Sequence, residues 1–544
     1  MKRYLIAAIF LLALFLRLYK LGSLPPSLTW DEAAWGYNAY SLGIDLKDEF
    51  GRLLPFDYLE SFGDFKPPVY AYLAILPVKI FGLNEFATRM PAAFFGALTV
   101  LVVYFLVKEL FKKHDQKEAL ALITGLLLAF SPWHIMLSRA AFEANVASFF
   151  IIFGVFAFIR GVREGLPAGR QGFFLVLSLL SFVFSLMTFN TARVFVPLFV
   201  LVLLVYFRKE IWQKRRSVLL GAVLSFACLL PTLIFLTTPQ SRLRFAEVNI
   251  FADVGIVEIA NQQIANDQGA WWSKIIHNRR IGYVRSFLNH YFDHFDPAFL
   301  FISGDGNPKF STQTTGQLYL VSMPFLIFGF LLLLKTKPEI FWLLLGWLLL
   351  GVIPAATARE TPHALRIETV LPTFQIFTAF GIVGCYNWLK KKLFKKAFVV
   401  LALSLYLFNF IYFAHFYLTH YSREFSGEWQ YGYRQAIDFI NHNSDEYDRI
   451  YFTNELGRPY IYFLFYLKKD PDWFRQKAVV EREALGFVTV ESVDKYYFVD
   501  DFNDDRTTGR ALYINLSNEV PDSANILKDF YLLSGEKVLT AYEL

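Results

Sequence analysis

Two adjacent carboxylates stand after a hydroxyl and among aromatic residues in Thr29-Trp30-Asp31-Glu32-Ala33-Ala34-Trp35, shortly after an apolar run that ends at Tyr19. Acidic side chains this close to a membrane exit are costly unless they are paired or have a task. The task open to Asp31 or Glu32 is that of a general base, taking the proton from a hydroxyl as its oxygen attacks. A competing reading is structural: Thr29 or Asp31 can cap a helix that begins here and satisfy its free N–H groups. A leaving phosphate would need the opposite charge, and Lys66 in Phe65-Lys66-Pro67-Pro68 offers it. Pro67 suits a first helical turn and would hold the lysine at headgroup level, where it could equally snorkel toward lipid phosphates. Arg89, before Met90-Pro91, has a similar position.

Further charges recur in short polar stretches between apolar runs. In Ser138-Arg139-Ala140-Ala141-Phe142-Glu143 the arginine and the glutamate are four apart, so they form either an ion pair on one helix face or part of a charged site. Arg359-Glu360-Thr361-Pro362-His363-Ala364-Leu365-Arg366 gathers two guanidiniums and an imidazole, an inventory suited to a phosphate or diphosphate, with lipid headgroups as the alternative. His290, Asp293 and His294 have the spacing of a divalent-ion site, but spacing supplies no further ligand. Gly304-Asp305-Gly306-Asn307 reads as a turn, with Asp305 a further candidate.

These groups must be positioned by membrane helices. The chain has 544 residues, 55% of them hydrophobic and 18% charged, too apolar for a soluble protein of this length. The apolar residues cluster into runs long enough to cross a hydrocarbon core of about 30 Å. Lys2 and Arg3 should hold the first residue in the cytoplasm, and no small-x-small cleavage site follows, so the first run reads as an uncleaved anchor. Later runs fall at roughly 90–110, 119–137, 144–160, 172–188, 194–207, 217–237, 317–335, 339–356, 367–388 and 397–415, giving eleven spans. The basic loops at Lys112/Lys113/Lys117, Arg160/Arg163/Arg170, Arg208 to Arg216, Lys335/Lys337 and Lys390 to Lys396 then all face the cytoplasm, as the positive-inside rule requires. The segment 67–81 is too short to span, and counting it would invert every later loop; it reads as an interfacial helix. A net charge of +6 is accounted for by this topology, which removes the case for nucleic acid. Cys228 and Cys385 lie inside apolar runs, so neither a disulfide framework nor a thiolate cluster is expected.

The expected architecture is a mainly α, multi-pass protein of the cytoplasmic membrane. Residues 1–418 form the membrane domain, with outer loops 22–89 and 238–316, and residues 419–544 form a small extracytoplasmic α/β domain. Helical patterning at 429–442 and alternation at Arg449–Phe452, Lys495–Val499 and Ala511–Ile514 support the latter.

Taken in order, Trp30-Asp31-Glu32-Ala33, Lys66-Pro67-Pro68-Val69-Tyr70 and Gly82-Leu83-Asn84-Glu85-Phe86-Ala87-Thr88-Arg89-Met90-Pro91 resemble family 39 glycosyltransferases of the GT-C fold. That group includes protein O-mannosyltransferases and the lipid A aminoarabinose transferase. The resemblance extends to Gly304-Asp305-Gly306-Asn307 and to Tyr431-Gly432-Tyr433. It implies a polyprenyl-phosphate sugar donor, transfer outside the cytoplasmic membrane with inversion, and a lipid, protein or glycan acceptor. The family's first-loop acid maps onto Asp31, with Glu32 beside it. Its lysine before the double proline, which contacts donor phosphate in the aminoarabinose branch, maps onto Lys66. Arg139 and Glu143 occupy the second outer loop, where the family has a further acid, although here the acid follows the arginine. The expected site is therefore Asp31 and Glu32 for catalysis, and Lys66, Arg139, Arg359, His363 and Arg366 for donor phosphate, with Arg89, Glu143 and Asp305 as additional candidates. No cofactor is required on chemical grounds, because a phosphodiester leaves readily when cations face it; a divalent ion would be accessory. A transporter or flippase of a lipid-linked saccharide is the alternative reading, and a scaffold whose outer domain binds a partner is a third.

Overall fold

A computed structural model describes residues 2–163, 167–242, 248–482, 488–500, 502 and 509–544. In chain order the elements are helices α1 (Lys2–Leu18) and α2 (Trp30–Asp45), a hairpin of β1 (Leu59–Ser61) and β2 (Asp64–Lys66), then α3 (Val69–Phe81), α4 (Glu85–Leu110), α5 (Lys117–Ala129), α6 (Glu143–Val162), α7 (Ala168–Leu186), α8 (Ala192–Tyr206) and α9 (Arg215–Leu236). They continue with α10 (Val254–Asn266), α11 (Arg279–Asp293), α12 (Ser322–Thr336), α13 (Pro338–Ala356), α14 (Thr373–Trp388) and α15 (Lys392–Thr419). The remainder comprises α16 (Tyr433–Asn443), β3 (Arg449–Thr453), α17 (Pro459–Tyr466), α18 (Pro471–Lys477), β4 (Ala478–Arg482), β5 (Val488–Val493), β6 (Tyr496–Val499), β7 (Ala511–Leu516), β8 (Asn525–Tyr531) and β9 (Lys537–Glu543).

Every apolar run read from the sequence contains a helix. Among the described residues six of them, α4, α6, α7, α9, α13 and α15, are long and apolar enough to cross a bilayer; α1, α5, α8, α12 and α14 have 13 to 17 residues.

Two compact units divide the chain. The first comprises residues 1–16, 95–137 and 143–413. Its helices meet through small residues and hydroxyls, the usual means where lipid offers no hydrophobic drive to associate. Ser178 and Ser181 on α7 donate to the carbonyls of Gly154 and Phe150 on α6, at 2.7 and 2.8 Å. Gly329 on α12 and Gly381 on α14 let two backbones touch: a Cβ on either would collide with a main-chain carbonyl, of Phe377 and Phe325 respectively.

The second unit comprises residues 17–94, 138–142 and 414–544. Its sheet has the order β4-β5-β6-β3-β7-β9-β8, with β3 parallel to β6 and β7 and the other pairs antiparallel. The three alternating stretches read from sequence are thus neighbours at its centre. The expected boundary at 419 differs from this arrangement, since the first loop shares a core with the C-terminal segment. Ala33, Ala34, Tyr37 and Ala39 of α2 are buried together with Ile450, Phe452, Tyr462, Phe465 and Leu512. Gly36 makes the approach possible, because a Cβ there would stand 2.5 Å from the Phe465 ring and from the Thr88 hydroxyl. The physical reason is that α2 is too apolar to lie in water and the central strands need a cover.

Candidate active site

Within the second unit, the cap of α2 decides what each of its two acids does. Thr29 accepts the Glu32 N–H at 3.3 Å while a Glu32 carboxylate oxygen accepts the Thr29 N–H at 3.1 Å, a reciprocal capping box. That turns Glu32 inward and leaves Asp31, one residue earlier, facing out with its side chain 52% exposed. Arg89, fully buried on α4, grips Glu32 from the other side: its Nε lies 2.8 Å from Oε1 and its Nη2 3.1 Å from Oε2. The same guanidinium donates to the carbonyls of Leu21, Pro25 and Ser27. A further donor, the Ala141 N–H, reaches Oε1 at 2.8 Å. Each Glu32 oxygen therefore carries two hydrogen bonds, which leaves no lone pair for a substrate proton. The expectation that Glu32 shares catalysis is corrected: it is the joint that ties α2, α4 and the turn at Ala141 together. Arg89 belongs to the same joint and is too deep to meet a ligand.

Asp31 is paired differently. The Lys66 ammonium, at the end of β2, contacts Asp31 Oδ1. Its side chain is only 8% exposed and its charge lies 5.3 and 5.1 Å from the ring centres of Trp35 and Phe62, a cation–π setting. Buried against aromatics and in contact with an outward-facing carboxylate, Lys66 is held in place. The Pro67-Pro68 pair leads from it directly into α3.

Arg139, like Arg17 and Arg89, is a buried guanidinium of this unit. It donates to the carbonyls of Arg17, Tyr19 and Leu24 at 3.1, 2.7 and 3.0 Å and lies 5.6 Å from the Tyr417 ring. Both of its Nη groups are thus engaged by the main chain around the end of α1, an arrangement that differs from the expected phosphate role. Nor do Arg139 and Glu143 share a helix: a turn over 138–141 separates them, and Glu143 opens α6 in the first unit, where an acid suits the helix dipole.

Sequence reasoning missed Glu49. It is fully buried, with Asn38 donating at 3.1 Å and the Tyr460 hydroxyl at 3.2 Å, and burial, aided by the neighbouring Asp48 charge, pushes its carboxyl up to about 8. Tyr460 comes from the distant C-terminal segment, so no local pattern could have pointed to it.

The remaining candidates lie in the first unit, Arg359, His363 and Arg366 in the connection between α13 and α14 and Asp305 in that between α11 and α12. Three acceptors pin the α13–α14 loop: Asp305 takes the Ala364 N–H at 2.6 Å, His294 Nε2 takes the His363 N–H at 3.2 Å, and Asp293 takes the Thr361 hydroxyl at 2.8 Å. Asp305 also accepts from the Asn307 N–H at 2.8 Å, forming the expected turn. Burial pushes Asp305 up to about 6 and His294 down to about 4. His363 is buried against Phe310, its ring center 4.8 Å away, and burial, reinforced by the Arg366 charge, holds it well below the usual imidazole range. Burial thus disfavours the imidazolium, so that His363 would meet a phosphate as a neutral N–H donor and not as a cation. Arg359 is exposed and donates to the Ala252 carbonyl at 3.0 Å; Arg366 is half-buried and reaches the Glu360 carbonyl at 3.4 Å. His290 bonds the Ala358 carbonyl, so His290, Asp293 and His294 each face a different partner. Among the described residues no three acidic, histidine or cysteine side chains converge as a metal site would require.

Comparison with known proteins follows the same lines. Residues 65–235 match the family model described as dolichyl-phosphate-mannose-protein mannosyltransferase. YycA of Bacillus subtilis (strain 168), described as a candidate mannosyltransferase, is 28% identical over 163 residues, which is 29% of this chain and 22% of that protein. ArnT from Cupriavidus metallidurans superposes over 99% of this chain and 97% of its own, with 12% identity and a TM-score of 0.59 without ligand and 0.55 bound to undecaprenyl phosphate. The Archaeoglobus fulgidus oligosaccharyltransferase follows at 14% identity and a TM-score of 0.51, over 86% of this chain and 63% of that one. The chain has the GT-C fold seen in ArnT, as the motifs of its first hundred residues imply.

Proposed function

We propose that this GT-C-fold chain transfers a sugar from a polyprenyl-phosphate donor to an acceptor hydroxyl, with inversion, at the outer face of the cytoplasmic membrane. The observation that carries the proposal is the contact between half-exposed Asp31 and buried Lys66, a general base beside a fixed cation. In support, the matched family model and the undecaprenyl-phosphate complex of ArnT both concern lipid-phosphate chemistry.

The donor phosphodiester takes the Lys66 ammonium as a counter-ion, which frees the Asp31 carboxylate from its partner. The acceptor oxygen attacks the anomeric carbon while its proton passes to Asp31. The bond from that carbon to the phosphate oxygen breaks, and its electron pair departs on polyprenyl phosphate. Lys66 stabilises this growing charge, and the aromatic walls of Trp35 and Phe62 keep it from swinging into water. Attack from the face opposite the leaving phosphate inverts the configuration.

Purified chain, a polyprenyl-phosphate sugar and an acceptor hydroxyl suffice to test this. Asp31→Asn should lower transfer by about 10²- to 10⁴-fold with donor binding retained, and equal rates would remove Asp31 from the chemistry. Label that crosses vesicles without a new glycosidic bond would instead identify a transporter of lipid-linked saccharides.

A further inference from the structure

The segment that precedes and includes α11 has a surface that the chemistry above leaves unused. Part of α11 is packed: the Tyr283 ring lies 5.5 Å from that of Phe251, Gly282 backs onto Ile256, and the Tyr291 hydroxyl, at the edge of the stripe described next, donates to the Leu349 carbonyl at 2.9 Å. A stripe beside these contacts is exposed. Ile281, Val284, Leu288 and Phe292 are 50, 59, 45 and 64% exposed, and their spacing aligns them in one stripe. Trp271 and Trp272, just before α11, are 77 and 43% exposed. Between Asp267 and Asp293 there is no acidic residue, but Lys274, Arg279, Arg280 and Arg285 are all exposed. None of these four makes an ion pair with a described residue.

We propose that residues 271–292 form a docking surface for anionic phospholipid headgroups. Depth selects lipid over a soluble partner. Leu349 lies seven residues before the end of α13, a membrane-spanning helix by length and composition, so the Tyr291 contact sits about 10 Å inside that end at 1.5 Å per residue. A stripe of aliphatic and aromatic side chains at that level meets acyl chains. Tryptophans favour the boundary between chains and headgroups, and long basic side chains reach outward from there to phosphates. Four cations with no acid among them select anionic over zwitterionic headgroups.

The experiment uses the full chain in nanodiscs of phosphatidylcholine alone or with one part in about three of phosphatidylglycerol, a content at which anionic surface potential becomes substantial. Hydrogen exchange of amides in 279–292 should be several-fold slower in the anionic discs. The variant with K274Q, R279Q, R280Q and R285Q together should lose that difference while other segments exchange as before. The emission lost between wild type and W271F/W272F should be quenched by bromine on the acyl chains in preference to acrylamide in water. Equal exchange in both discs overturns the anionic preference, and quenching by acrylamide alone overturns the membrane seat. Protection that arises only when a soluble protein or glycan is added overturns the proposal in favour of such a partner.

Discussion

Asp31 and Lys66 neutralise each other across a narrow contact, and the consequences of altering either one differ. On the proposed function, Lys66→Met takes away the cation that faces the phosphate and should raise the donor KM, with Lys66→Arg a poor substitute because a planar guanidinium does not fit between Trp35 and Phe62 as an ammonium does. Steady-state kinetics with varied donor checks both. Glu32 and Arg89 behave otherwise: Glu32→Gln or Arg89→Met strands a buried charge and should cost about 3–5 kcal/mol of stability, seen as a lowered melting temperature in detergent, whereas Asp31→Asn should melt near the wild type. Glu49 adds a pH dependence. Between its ordinary value of 4.5 and about 8 the folded chain holds a proton that the unfolded chain has lost, so stability should fall as pH rises across that window and level off above it. Glu49→Gln should flatten this part of the melting-temperature profile and be the more stable protein at pH 8. The adjacent acids after Thr29 were legible in the sequence as a candidate site. Which of the two is exposed was not, because that depends on the capping box and on an arginine 57 positions away in the chain.

Helices and strands differ in how much of their role is written locally. Spanning helices announce themselves by run length, since a bilayer has one thickness and every backbone group within it must be satisfied in the same segment. Their neighbours are set by a few small residues that hydropathy does not register. Gly329 and Gly381 are such a pair, each pressing on the main chain of the other's helix. Gly381→Leu should force α12 and α14 apart and lower both folded yield and melting temperature, whereas the same change at Gly169, with nothing near it, should be neutral; parallel thermal unfolding of the two variants checks this. In the sheet, β3, β6 and β7 were legible through alternation, but β4 and β8, half-exposed edge strands, carry little periodic signal. The order of strands rests on pairings between residues far apart in the chain, and no local pattern encodes them.

For the molecule as a whole, the charge alternation of its loops makes an orientation testable. In a chain lacking Cys228 and Cys385, an impermeant maleimide added to intact cells should label Ser23→Cys and leave Lys391→Cys unmodified until the membrane is opened; the reverse pattern would put the Asp31 loop in the cytosol. The sequence divided the chain at 419, a cut justified by composition but blind to the core shared by α2, β3 and α17. Truncation after His420 should therefore abolish transfer and expose residues 30–66 to protease, and activity surviving the cut would separate the loop from that core. Synthesis runs from one end to the other, so the loop bearing Asp31 and Lys66 emerges hundreds of residues before the strands that complete its core. On the proposed function, the base and counter-ion are thus completed only when β3 and the strands beside it, the cover of α2, have been made.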